Sequence, residues 1–512
     1  MSRGLRLGIV ICHTVSMSVK KIFYNTLLQS VGKLISIVIG LVVVGMLTGY
    51  LGSTGFGEYA TVISFMGFWG ILADLGLYLV ATKEISEVGA DENKILGNVF
   101  SLRIISVFLI LLLGALVAQL FPYSAAVKET MFIAILAFAF VSGTQVLVGV
   151  FQKHLVFYEL IASEVLGRIA MLVSTWFFIH QRLSLPSFIL SLTLANGVHF
   201  LLSYYLVRRL VPFTLQFDFK FWKKILSKSW PLAFSVIFNL IYFKGDSVIL
   251  SVYRPPQDVG LYSLAYKFLE VPLAFPAMFA GLIMPFLARF SFRDWASYRL
   301  YLQKSLDAIL LLVVPLTLTT YFFARPIVNL VGGEIYPDAD RVLQILIFAT
   351  AIIYIGQLFG YAVVALDRQK TMQWGYLGGA MVGLVLYFIL IPRYSYFGAA
   401  AATVLIELMV ACIAVLITSR AAHFFPSFSI LAKALIAGLP MALFFHYVNF
   451  AWRVNFFSTR FTTVPAWMSE AIIGLVIYTF LLFVLRAVPR DFIAEILGSR
   501  PGAAAELPID KI

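Results

Sequence analysis

YLGSTGFGEYATVISF, residues 50–65, has a second copy in this chain: residues 253–268 read YRPPQDVGLYSLAYKF. At a constant offset of 203 residues, Tyr50 falls on Tyr253, Gly57 on Gly260, Tyr59 on Tyr262 and Phe65 on Phe268. Each copy lies between two long apolar runs, so each reads as a tight turn joining one membrane helix to the next. Glycine admits the backbone angles such a turn needs, and tyrosine suits the boundary between bilayer and water. The flanking helices keep the same phase, as shown below. A tandem of two six-helix halves follows.

Composition sets the class. Of the 512 residues, 61% are apolar and 12% charged, and mean hydropathy is +0.95, whereas soluble domains carry roughly 25% charge. A soluble core of this length cannot hide that much apolar surface, so the chain reads as an all-α polytopic membrane protein. The net charge of +13 is explained by the loops and does not call for nucleic acid. Cys12 and Cys412, the only cysteines, imply neither a disulfide framework nor a thiolate metal site. The scattered histidines show no metal-ligand spacing, and no metal site is expected.

Runs long enough to cross a bilayer, ~20 residues each, lie near 22–48, 57–82, 98–120, 130–151, 160–180, 187–207, 229–252, 259–288, 300–323, 341–366, 372–391, 396–418, 428–450 and 466–487. That is fourteen helices, all far longer than the ~10-residue alternating segments of a membrane barrel. The layout is an N-terminal tail over 1–21, a six-helix lobe over 22–207, an amphipathic linker over 208–228, a second six-helix lobe over 229–418, a further helix pair over 419–487 and a tail over 488–512. The apolar patch LGIVICHTV in the first tail is too short to span and lacks a cleavage site, and Met17 is the expected start. With the N-terminus cytoplasmic, 22 of the 38 basic residues fall in inside loops and tails and seven outside. Both termini are therefore expected in the cytoplasm. In the linker, Phe219, Trp222, Ile225 and Leu226 share one helical face, and Lys220, Lys224 and Lys228 take the other. That pattern suits a helix lying on an anionic membrane surface. Arg289 to Lys304 reads as a second such elbow.

Ionisable residues inside spans are costly and usually face a bundle interior or a watery cavity. In the first span Asn25, Gln29, Lys33, Ser36 and Gly40 form one polar face. In the seventh, Ser235, Asn239, Tyr242 and Asp246 do the same, and the offset carries Ser36 onto Asn239. Lys244, about 200° from Asp246 on an ideal helix, is expected to point elsewhere. Ser64, Gly67, Ile71 and Asp74 share a face of the second span, and the offset carries them to Lys267, Glu270, Ala274 and Ala277. Lys267 with Glu270, Glu164 with Arg168, and Asp74 with Arg103 can each be read as a structural ion pair as readily as a functional one. Glu407 in the twelfth span has no obvious local partner. Parallel repeats with polar faces meeting between them describe an alternating-access transporter.

The turn and helix GFGEYATVISF followed by ADLGL (73–77), the GDSVILSVY stretch (245–253) and DVGLYSLAYKF (258–268) resemble the Wzx-type polysaccharide or oligosaccharide-lipid flippases of the MATE-like MOP transporter superfamily. With the twofold layout, the resemblance covers residues 18 to about 420. It implies flipping of an undecaprenyl-pyrophosphate-linked oligosaccharide from the cytoplasmic to the outer leaflet of the inner (cytoplasmic) membrane, through a cationic cavity and driven by an ion gradient. Lys33, Lys267, Arg168 and Arg103 are the expected substrate-binding cations. Asp74, Asp246, Glu270, Glu407 and Glu164 are the ion-coupling candidates, with H⁺ or Na⁺ and no other cofactor. The expected partners are the lipid-linked glycan, the bilayer, and the polymerase and glycosyltransferases of cell-surface polysaccharide assembly, with the protein itself a monomer. Headgroup binding near Lys33 is expected to precede capture by Lys267. The final helix pair reads as a lipid-facing buttress.

Three alternatives stay open. Fourteen helices suit a lipid II-type flippase, although the first span lacks that branch's Arg-Asp pair. A MATE-like exporter of organic cations should have a net acidic cavity, whereas cations and carboxylates here nearly balance. A multispan glycosyltransferase or polymerase would need a catalytic outer loop, and only Asp338-Ala339-Asp340 offers one; helix capping explains that pair as well.

Overall fold

The computed structural model describes residues 3–74, 76–86, 89–154, 156–454 and 466–487. Among these the regular structure is entirely helical, with fifteen α-helices and one short 3₁₀ turn. In chain order they are α1 (Arg3–Leu72), α2 (Leu77–Ser86), α3 (Glu92–Ala118), α4 (Ala125–His154) and α5 (Phe157–His180). Next come α6 (Leu185–Leu210), α7 (Phe219–Tyr253), α8 (Pro256–Glu270), α9 (Ala274–Phe290) and α10 (Trp295–Phe322). The last five are α11 (Ala324–Gly332), α12 (Ala339–Ala365), α13 (Gln369–Ala422), α14 (Ser429–Val454) and α15 (Ala466–Val484). The tail expected over 488–512 and the Asn25 and Ser235 side chains lie outside the described residues.

Among the described residues, twelve helical segments are long and apolar enough to cross a membrane, and two of them are double length: 42 residues over Val31–Leu72 and 54 over Gln369–Ala422. The first is kinked at Gly52 (φ 65°) and the second at Ser395 (φ 51°). Counting each half as one crossing gives the fourteen read from the sequence.

Two expected spans are not continuous. The helix expected over 57–82 stops at Leu72 and resumes at Leu77, and the one expected over 259–288 stops at Glu270 and resumes at Ala274. Apolar residues run on beyond both breaks, so run length alone conceals them. Their causes are local: Gly76 takes φ 70° in the first, and Pro272 in the second has no amide hydrogen to continue the ladder. Interrupted helices of this kind free backbone groups and polar side chains within the membrane.

By packing, the chain forms two compact units. The first takes in the described residues up to Val271 together with 328–346 and 373–409. One of its cores joins α2, α3, α4 and α6 through Ile85, Leu96, Phe100, Leu147 and Phe151. The linker helix belongs to this unit as well. Trp222 and Ile225 pack on Leu77, Val80 and Leu102, and Lys228 bonds Glu84. The apolar face expected against lipid is therefore split: its inner residues are buried in protein, and Phe219 and Leu226 stay exposed. Asp218 caps α7 by accepting the Lys220 and Phe221 amides. Those two bonds, the Phe221 one foremost, hold its carboxyl below the usual range.

The second unit takes in 272–327, 347–372 and the described residues from Val410 onward. Val314, Phe323, Met441, Phe445 and Tyr478 join α10 to α14 and α15, and the Tyr478 hydroxyl donates to the Leu311 carbonyl at 2.9 Å. In the second turn of α10, Arg299 donates to the Ala422 carbonyl at 2.9 and 3.1 Å.

Candidate functional site

Every residue of the site lies in the first unit. Its two repeated stretches meet each other at equivalent positions. Gln257 Nε2 donates to Thr54 Oγ1 at 2.9 Å, and the two residues are 203 apart. Gly57 and Gly260, also 203 apart, cross backbone to backbone. A Cβ on Gly260 would lie 2.6 Å from the Ser53 carbonyl oxygen and 3.0 Å from the Gly57 nitrogen, and one on Gly57 would run into the Pro256 carbonyl. Only glycine on both sides permits so close an approach. Tyr59 and Tyr262, the next matched pair, are both buried. This part of the fold thus carries a local twofold relation between the two halves of the sequence.

Below the second stretch, where α8 ends, one carboxylate holds two ammonium groups. Glu270 Oε1 is 2.9 Å from Lys244 Nζ and Oε2 is 2.7 Å from Lys267 Nζ. The side chains are 33%, 28% and 43% exposed respectively, so the cluster is accessible and carries one positive charge in excess. Lys244 was expected to point away from Asp246, and its ammonium bonds Glu270 and not Asp246. Its long stem crosses the Tyr266 ring, with Nζ 4.8 Å from the centroid, and reaches the carboxylate from α7. An idealised helical wheel places the Cβ and takes no account of that reach.

The N-terminal half holds a looser counterpart. Lys33 on α1 lies 3.4 Å from Glu164 on α5. Arg168, one turn further along α5, has no hydrogen-bond or ion-pair partner among the described residues. Lys33, Glu164 and Arg168 all lie within electrostatic reach of His199.

Asp74 and Arg103 are arranged differently. Arg103 Nη1 lies 2.6 Å from Asp74 Oδ1 and 3.1 Å from the Ala73 carbonyl oxygen, and Nη2 donates to Gln145 Oε1 at 2.9 Å. Arg103 is 1% exposed and Asp74 16%. The guanidinium is sealed across the break between α1 and α2, where Asp74 also accepts the Tyr78 amide; of the expected substrate cations it is the one turned into packed protein.

Asp246 is fully buried and satisfied by neutral donors. The Tyr262 hydroxyl donates at 2.5 Å, Thr403 at 3.2 Å and the Ser247 amide at 2.6 Å. Glu407, one turn past Thr403 on α13, is buried too, close enough to feel the Asp246 charge. Among the described residues Glu407 has no hydrogen-bond or ion-pair partner. Tyr242, Tyr266 and Tyr387 surround the two carboxylates, and Tyr387 donates to the Tyr242 carbonyl at 2.6 Å. Sequence reasoning found both acids and Tyr242 but not the rest of their tyrosine shell, which α8 and α13 supply.

Asp338 and Asp340 are occupied by their own helix start. Asp338 pairs with Arg341 at 2.9 Å and accepts from Tyr396, and Asp340 accepts the Arg341 amide.

A family model described as "Polysaccharide biosynthesis protein" matches residues 18–291. A Haloferax volcanii protein carrying the name "Probable low-salt glycan biosynthesis flippase Agl15" is 23% identical over 362 residues, covering 69% of this chain and 74% of that one. Among solved structures, "Lipid II flippase MurJ, inward closed conformation" superposes with a TM-score of 0.71 at 16% identity, over 91% of this chain and 99% of that one. An inward-facing multidrug resistance MATE family transporter of the MOP superfamily superposes with 0.59 at 14% identity, over 75% and 94%. The helical layout is the one these transporters share. With more than half its length matched, the chain belongs to the polysaccharide biosynthesis protein family.

Proposed function

We propose that this protein flips a lipid-linked, pyrophosphate-bearing oligosaccharide from the cytoplasmic to the outer leaflet of the cell membrane for surface-polysaccharide assembly, acting as a transporter and not as an enzyme. The observation that carries this reading is the positive charge left over where Lys244 and Lys267 share Glu270 in an accessible cluster, with the Lys33–Glu164 pair as the counterpart in the N-terminal half. An organic cation would be repelled by such clusters, while a pyrophosphate is drawn to them. Its charges and sugar hydroxyls cannot cross hydrocarbon unaided. The protein therefore offers a wet path that opens to one side at a time, with the two six-helix halves rocking about it and both termini cytoplasmic. Opening outward requires the Gly57–Gly260 crossing to part. Asp246 and Glu407, buried and free of cationic partners, are the groups that take up H⁺ or Na⁺ to reset the cycle.

The test is flipping of a polyprenyl-pyrophosphate-linked oligosaccharide in proteoliposomes, with and without an imposed pH or Na⁺ gradient. Flipping accelerated by one gradient, with the acceleration lost in Asp246→Asn and Glu407→Gln, is expected. Flipping indifferent to both gradients and both substitutions would mean passive scrambling, and export of organic cations without flipping would overturn the reading.

A further inference from the structure

A cavity of about 280 Å³ opens beside α7. Ile71, Val236, Leu240 and Phe243 make its wall apolar, and Lys244, Asn239 and Tyr376 supply the polar groups. Lys267, the other ammonium on Glu270, is not among its lining residues. The cavity thus sees one of the two cations of the cluster.

Its chemistry is narrow. One ammonium on an otherwise hydrocarbon wall suits an anion attached directly to an alkyl or isoprenoid chain. A sugar would want many more hydrogen-bond partners, and an organic cation would meet Lys244. Drug-sized ligands fill roughly 300–1,000 Å³, so this volume holds part of a lipid and not a whole glycolipid. Lys244 has three donors, of which Glu270 takes one at 2.9 Å. The rest are free for a phosphate, and the Tyr266 and Phe243 rings beneath the ammonium limit where it can swing. Asn239, whose Nδ2 donates to the Tyr242 hydroxyl at 3.0 Å, keeps its carbonyl oxygen and second N–H for the cavity.

We propose that this cavity binds the junction between phosphate and prenyl chain, with Lys244 as the phosphate ligand, Glu270 as the residue that positions it, and Ile71, Val236, Leu240 and Phe243 against the first isoprene units. This rests on the flippase reading and adds to it a lipid-proximal subsite separate from Lys267. Recognition here is of the carrier's phosphate end and is blind to the sugar.

The experiment measures binding of farnesyl pyrophosphate, inorganic pyrophosphate and farnesol to the purified full chain in detergent, alongside the flipping assay. Farnesyl pyrophosphate should bind at least tenfold more tightly than either fragment. Lys244→Gln and the cavity-filling Val236→Phe should each weaken it at least tenfold, and Lys244→Arg should retain most of it. Farnesyl pyrophosphate should also protect Lys244 of the unaltered protein from acylation, a readout that stands even if a variant fails to reach the membrane. Normal binding by Val236→Phe together with unprotected Lys244 would overturn the inference while leaving flipping by the unaltered protein intact. Conversely, absent flipping with the farnesyl pyrophosphate site present would remove the proposed function and leave the site.

Discussion

The second and eighth membrane helices are both interrupted, and both interruptions carry charge, yet the two are built in opposite ways. At the first, Arg103 and Asp74 neutralise each other, and the guanidinium has further bonds to the Ala73 carbonyl and Gln145 in packed protein. At the second, Glu270 is shared between Lys244 and Lys267, all three partly exposed, with a charge left over. A balanced, buried pair ties two pieces of helix together and has no capacity for a ligand. An unbalanced, accessible cluster holds its cations ready for one. Position in the repeat therefore does not decide the role of a charged residue; local balance and access do.

The strongest way to break this comparison is to remove Arg103. Arg103→Met leaves Asp74 without its partner, at a cost of about 3–5 kcal/mol for one half of a buried pair. Monodisperse protein on size exclusion should be largely lost, and adding Asp74→Leu should recover most of it. A double variant that folds and still flips with its gradient response intact would remove Asp74 from the coupling candidates. Next in size is Lys267→Ala. The protein should reach the membrane at normal levels and flip about tenfold more slowly, equivalent to ~1.4 kcal/mol. If it is instead lost from the membrane, the eighth-helix cluster is structural and the contrast disappears. Smallest is Gly76→Ala, which forces a Cβ into the left-handed region at the first break and should cost about 1–2 kcal/mol. A drop of a few degrees in Tm with flipping preserved would sharpen the view of that break as scaffold.

Much of this was legible in the sequence. The fourteen crossings follow from run length, the twofold relation from the match of Gly57 with Gly260, and the Lys267–Glu270 pair from helical spacing. The breaks were not, because apolar residues run on beyond them on both sides; Gly76 and Pro272 were the available signals. Lys244 was missed because a wheel of Cβ directions says nothing about a flexible side chain's end. The burial of Trp222 and Ile225 was missed because an amphipathic face looks the same whether lipid or protein covers it. Spacing grouped Tyr242 with Asp246, but Tyr266 and Tyr387 come from other helices, so no spacing could have added them.

The crossing of residues 54–57 with 257–260 has the form of an isologous contact, the kind by which two identical subunits pair about a twofold axis. Here both partners sit on one chain, and this changes what the contact can become. Between identical copies, any residue near the axis must be compatible with itself, and every substitution is felt twice. Within a single chain that restriction lapses: Thr54 meets Gln257 and not another threonine, and each side can change alone. The same freedom let one interrupted helix be sealed with a neutral pair and the other be left charged. A homodimer of two six-helix subunits would have to repeat whichever break it had on both sides. Fusion of the halves is what makes a lopsided interior possible, with one break closed by a neutral pair and the other left with a surplus cation.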